Sequence, residues 1–222
     1  MAKKILFLMV LAIFGVVGAF AQPEFKVSAG FGGYFTSDFG GGVEISYAGF
    51  NGHLKTPYVG GGAFVFLDAT FFELSLGFAG AGYEAEAYFQ GAGTSKYKAT
   101  GSGLDIGLLG KYPFAIGDQF SIFPLLGISY RAVLSVESEI ADVKADNPGD
   151  FSALWFKFGG GLDYSITEKI YLRAGILYGF RLENEFEKDI EANWYKTYGG
   201  MVNINKLLGH GLEIKLAVGF RF

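Results

Sequence analysis

Eleven charged side chains interrupt otherwise apolar or small-residue runs at alternate positions: Glu73, Asp105, Lys111, Arg131, Lys157, Asp163, Arg173, Arg181, Glu213, Lys215 and Arg221. Lys26 extends the set at the front of the first such run. In an extended chain, alternate side chains point to opposite faces. Each charge therefore shares a face mostly with Gly, Ala or Ser, while the opposite face is built from Leu, Ile, Val, Phe and Tyr. Charges gathered inside a narrow closed sheet have to pair, because an unpaired ion away from water is costly. The predicted chemistry is a salt-bridged interior, serving as a structural plug or as the lining of a selective passage.

Catalytic signals are weak by comparison. His53 and His210 are the only histidines, each beside Gly in a loop or turn. A catalytic triad needs a nucleophile, a base and an orienting group that converge in space, and the sequence shows no such set. Gly40-Gly41-Gly42, Gly60-Gly61-Gly62 and Gly159-Gly160-Gly161 lack the Lys-Ser/Thr that completes a P-loop. The last two lie inside strands and read as kinks or close-packing sites. The acidic clusters Glu137, Glu139, Asp142, Asp146, Asp150 and Glu183, Glu185, Glu187, Asp189, Glu191 do not match an EF-hand loop. They read as solvated acidic surface. No catalytic residue, cofactor or metal is expected.

The elements that must hold the charges are strands. Phe25 to Phe35, Tyr58 to Leu67, Phe72 to Phe78, Leu104 to Tyr112, Phe120 to Arg131, Leu154 to Tyr164, Ile170 to Arg181 and Leu212 to Phe222 each read as one. Pro124 lacks a ladder donor, which predicts a bulge or a strand end there. Loops at 36–57, 89–101, 136–152 and 183–210 are long, whereas the turns near 69, 117 and 167 are short. Gly at 30, 32, 107, 127, 159, 161, 175 and 219 falls on the charged face and makes room for Arg, Lys and Trp155. The fold class is all-β, an antiparallel up-and-down barrel of eight strands, with ten as the alternative if segments 43–50 or 198–208 also pair.

Whether the apolar face meets water, protein or lipid follows from the other face. A lipocalin-like barrel points its polar face outward, yet here that face is mostly Gly, Ala and Ser. Tyr112, Tyr130, Tyr164 and Phe180 close the apolar face at strand ends, as an interfacial aromatic girdle does. A membrane barrel is therefore expected, with its apolar face toward lipid. An eight-stranded barrel is just wide enough for side chains to fill or for one small ligand. The apolar parity Ala63, Val65 and Leu67 leaves room for a small hydrophobic ligand.

The front of the chain fits export. Lys3 and Lys4 precede an apolar run from Ile5 to Gly18, and Ala19-Phe20-Ala21 supplies a signal-peptidase site. The run is shorter than the ~20 residues of a spanning helix, so residues 1–21 are expected to be a signal peptide and 22–222 the barrel domain. Removing them takes two lysines and leaves 16 basic against 22 acidic residues, net −6. That balance argues against nucleic acid as a partner. With no cysteine, disulfides and thiolate metal sites are excluded.

The signal peptide, alternating strands, loop asymmetry and aromatic end at Phe222 together resemble the small bacterial outer-membrane β-barrel family, the OmpA-, OmpX- and OmpW-type proteins. The resemblance covers residues 22–222 and implies location in the outer membrane among its lipids. It also implies that Leu216, Phe220 and Phe222 form a signal read by the barrel-assembly machinery. Two roles follow from it: a non-enzymatic structural or surface-interaction barrel, favoured as a monomer, or an OmpW-like channel or transporter for small or hydrophobic solutes.

Overall fold

Period-two alternation leaves the backbone no helical solution that segregates the two residue classes, so each run becomes a strand. The computed structural model describes residues 25–47, 50–55, 57–91, 93–138, 147–182 and 202–222, with 188, 192–193 and 195–196. The signal-peptide segment 1–21 lies outside the described residues, as do Glu139, Asp142, Asp146 and the acids from Glu183 to Glu191.

Eight strands close a barrel: β1 (Val27–Asp38), β4 (Tyr58–Ala69), β5 (Phe72–Phe89), β6 (Gly93–Lys111), β8 (Phe120–Ser138), β9 (Ala153–Ser165), β10 (Ile170–Arg181) and β12 (Gly209–Arg221). Each pairs antiparallel with the next in this order. The seam is β1 against β12, from Ser28↔Arg221 to Asp38↔Gly211. Outward positions such as Phe31, Leu76, Ile106, Ile128, Ile176 and Leu216 are exposed, forming a continuous apolar band.

The described parts of segments 43–50 and 198–208 pair without widening the barrel. β2 (Gly42–Tyr47) and β3 (Phe50–Lys55) form a hairpin, and β11 (Val202–Leu207) pairs with β2. β3 then joins the far end of β5 through Gly52↔Phe89 to Lys55↔Glu86. These strands extend the sheet beyond one mouth of the barrel. β5, β6 and β8 reach 18 or 19 residues, well past the ~9–11 that cross a membrane.

Three expectations shift in detail. Of the expected loop 89–101, the part from Gly93 onward is strand: β6 begins there and the hairpin continues, with Glu84↔Lys98 and Glu86↔Lys96 as opposite-charge cross-strand pairs. The turn after β4 is Thr70-Phe71, and Asp68 is still in the strand, paired with Glu73. Thr70 takes a positive φ of 57° and is held by hydrogen bonds to both backbone polar groups of Lys26, at 2.6 and 2.9 Å.

Pro124 marks neither a bulge nor an end of β8. β8 pairs with β6 up to Leu125↔Lys111, then from Ile122↔Phe114 with the short β7 (Phe114–Ile116). Pro124 sits in the gap where the partner changes, so its missing N–H costs no ladder bond there. The bulge lies elsewhere: Ser102 pairs with Ser135 and Gly103 with Val133, leaving Leu134 as the extra residue.

Candidate functional site

Inward positions bring the predicted charges together in layers. Nearest the short turns, Arg173 is the hub. Its Nε and Nη2 donate to both Asp163 oxygens at 2.7 and 2.8 Å, Nη1 to Glu73 at 2.7 Å and Nη2 to Asp68 at 2.5 Å. Lys111 also donates to Asp68. The rings of Phe66, Phe123 and Tyr171 surround the guanidinium at 4.8, 5.1 and 5.2 Å, adding cation–π attraction in a desolvated setting.

Midway, Lys157 donates to Glu213 at 2.6 Å, and Lys215 lies 3.3 Å from Glu213 and 3.8 Å from Glu73. Lys215 thereby links the middle layer to the Arg173 hub. Above it, Arg131 grips Asp105 through Nε at 3.0 Å and Nη2 at 2.9 Å, a forked geometry a lysine could not supply. Tyr34 donates to Asp105 at 2.5 Å, and Arg131 donates to the Tyr58 hydroxyl. At the far mouth Arg181 approaches Asp38 at 3.6 Å.

All eleven predicted charges face this interior, with Arg221 at its rim; Lys26, expected as an extension of the set, is instead exposed just ahead of β1. There Arg221 donates to Ser165 Oγ at 2.9 Å and stacks on Tyr171 at 4.6 Å. Two members were missed, Asp38 and Asp68, one assigned to a loop and the other to a turn. The signal for them was charge balance. The predicted set holds seven bases and four acids, an excess no narrow interior tolerates. Adding Asp38 and Asp68, and leaving Arg221 at the rim, gives six acids and six bases among the described residues, a neutral filling.

Of the eight expected glycines, Gly30, Gly161 and Gly219 make room for aromatic rings and Gly32, Gly127 and Gly159 for a neighbouring strand's backbone, a correction to the expectation of Arg and Lys. A Cβ on Gly219 would collide with the Tyr171 ring, and one on Gly30 would meet the Phe66 ring at 2.5 Å. Both rings then pack on Arg173. Trp155 finds its space beside Gly179, not beside the expected glycines. Ala63, Val65 and Leu67 do not line a pocket: Val65 and Leu67 point outward, 55% and 58% exposed, while Phe64 and Phe66 take the inward positions.

Spaces of about 20 Å³ and about 10 Å³ lie between the layers, room for a water or so each on the ~10–15 Å³ measure. At the short-turn end a vestibule of about 650 Å³ opens, with Asp68, Lys111, Asp163, Tyr171, Arg173 and Arg221 in its lining. The histidines stand apart from the lumen network. His53 Nε2 lies 3.3 Å from Glu86, and His210 Nδ1 lies 2.8 Å from the Tyr178 hydroxyl. Neither pair includes a serine or threonine nucleophile. Leu216, Phe220 and Phe222 all point away from the lumen.

A family model of the outer membrane protein beta-barrel domain matches residues 6–222. The chain belongs to this family. Its place is therefore the bacterial outer membrane, with the short turns on the periplasmic side and the extended strands outside. Among solved structures it is similar to the outer membrane protein OprG from Pseudomonas aeruginosa, with 13% identity, 91% of this chain and 98% of that one covered, and a TM-score of 0.51. It is also similar to Neisserial surface protein A, with 14% identity, 86% and 97% covered and a TM-score of 0.38. The attachment invasion locus protein Ail of Yersinia pestis shares 16% identity over 90% and 100%, with a TM-score of 0.40. No curated protein sequence matches this chain.

Proposed function

We propose that this protein is a non-enzymatic, non-conducting outer-membrane barrel that acts through the sheet it raises above the membrane. The observation that carries this reading is the neutral ionic filling of the lumen, six acids against six bases in layers from Arg173 to Arg181. Conduction needs a continuous wet path, and the spaces between these layers hold about one water each. The filling also explains why an eight-stranded wall carries so many charges: they close the barrel.

What reaches solvent is the outer extension. Cross-strand partners there share one face, which carries Glu44, His53, Lys55, Glu84, Glu86, Lys96 and Lys98. This polar face continues the lipid-facing side of β5 and supports a surface-interaction role for a monomeric barrel. Outer-membrane lipids cover the apolar band below it, and Leu216, Phe220 and Phe222 serve the assembly machinery on the way in. The test is planar-bilayer recording of purified, heat-modifiable protein. Silent bilayers are expected. Stable unitary currents from the wild-type barrel sink the plug and favour a transporter of small or hydrophobic solutes.

A further inference from the structure

A groove of about 630 Å³ cuts into the lipid-facing wall across β8, β9, β10 and β12. It exists because side chains are missing from the outward rows. One row reads Pro124, Gly160, Ile176 and Ile214 across the four strands, and the next reads Ile122, Leu162, Ala174 and Leu216. Nothing inside the wall demands glycine at 160. A Cβ there would meet only the Phe123 carbonyl oxygen at 3.5 Å, an ordinary contact. Inward-facing Gly161 and Gly175 thin the wall further, so the Phe123 ring and Lys215 also line the groove.

Its depth in the membrane is set by the strands. Ile122 lies two residues past the start of β8 at Phe120, and Ile214 lies seven before the end of β12 at Arg221. At ~3.3 Å per residue, and with strands tilted against a core of ~30 Å, the groove occupies the periplasmic half. Phe114 borders both the groove and the vestibule, whose lining sets Lys26, Lys111, Arg173 and Arg221 against Asp68, Asp118 and Asp163. An apolar slot thus runs to a rim with one cation in excess, and Arg221 is among its outer members.

We propose that this groove seats one acyl chain of a periplasmic-leaflet phospholipid, with its phosphate at the rim. Lipid tails are as apolar as Leu, so burial alone gives no preference for one part of the wall. Contact does. A void lined on several sides forfeits dispersion contacts until something fills it, and a chain in this slot touches floor and both banks where a flat wall offers one side. At that depth the membrane supplies acyl chains as the filling.

The test uses the full barrel refolded into phosphatidylethanolamine–phosphatidylglycerol vesicles containing a phospholipid with a photoreactive diazirine in mid-chain. After irradiation, adducts are mapped by mass spectrometry. Labelling at residues 160–162 and 174–176 is expected to exceed severalfold that at Val65, Leu67, Leu74 and Leu76, which lie at matching depth on the opposite wall. Gly160→Leu, with Ala174→Leu as a second filling variant, is expected to bring labelling down to the level of that wall while heat-modifiable migration persists. Even labelling around the wild-type barrel indicates ordinary annular lipid and overturns the proposal. So does labelling that both folded variants leave unchanged, or protein–protein adducts at the groove in place of lipid.

Discussion

Two Lys–Glu pairs occupy opposite settings on this chain. Lys157 and Glu213 meet at 2.6 Å inside the barrel, their side chains 9% and 5% exposed. Lys96 and Glu84 meet at 2.8 Å on the outer hairpin, at 58% and 45%. The contact distances differ little, yet the physics does. In the lumen neither ion has bulk water to return to, so losing one partner leaves the buried set unbalanced. On the hairpin, water and salt replace a lost partner at little cost. The lumen charges must therefore balance as a set, whereas the hairpin charges need only be compatible. That difference fits a closed interior below and a surface free to vary above.

The sharpest way to break the comparison is at the hub. Arg173→Met leaves Asp163, Glu73 and Asp68 facing one another, and should cost about 3–5 kcal/mol. Urea titration of the heat-modifiable form checks this. Next comes Lys157→Met, which should destabilise more alone than together with Glu213→Leu, because the double variant restores the charge balance of the interior. A coupling of roughly 1 kcal/mol or more is expected, and additive losses would mean that the pair is not acting as one. Deleting Phe222 should lower the amount of barrel recovered from outer membranes more than deleting Asn147 does; equal yields would remove the C-terminal aromatic from the assembly signal.

The smallest effect belongs to the outer hairpin. The hydrogen bond and charge of Lys96 hold the Glu84 carboxyl below its ordinary value of 4.5. A group whose folded pKa is depressed stabilises above its unfolded pKa and loses that contribution as pH falls through the folded one. A spin label at Thr94→Cys should therefore stay equally ordered from neutral pH down to the carboxylate range and loosen only below it. Glu84→Gln, which imitates the protonated carboxyl, should give the same slightly loosened signal at every pH and so abolish the acid step. A large change at neutral pH would erase the contrast between the two pairs.

Much of the lumen was legible because β10 and β12 alternate without error. Tyr171, Arg173, Leu177 and Arg181 face in, as do Glu213 and Lys215, because a period of two leaves each residue one face. Asp68 escaped because β4 is apolar on both parities, so its inward row of Phe64 and Phe66 did not look like a charged face. Asp38 escaped because Ser37, Asp38 and the glycines after it read as the start of a loop. The outer strands were legible only in part. Val43-Glu44-Ile45-Ser46-Tyr47 alternates clearly, but its partner Val202–Leu207 lies over 150 residues away, and no local signal names a distant partner. The acyl groove was hidden for a related reason: Gly160, Ala174 and Leu216 become neighbours only through register.

The seam between β1 and β12 also orders events in time. Most barrel pairings join strands that follow one another closely along the chain, and such hairpins can zip with little loop-closure entropy. β1 against β12 instead joins Ser28 to Arg221, almost the whole sequence apart. That contact cannot form locally, and until it does both strand edges stand open to wrong partners. Loop-closure entropy therefore falls most heavily on this seam, and an open sheet that lacks it presents two bare edges at once.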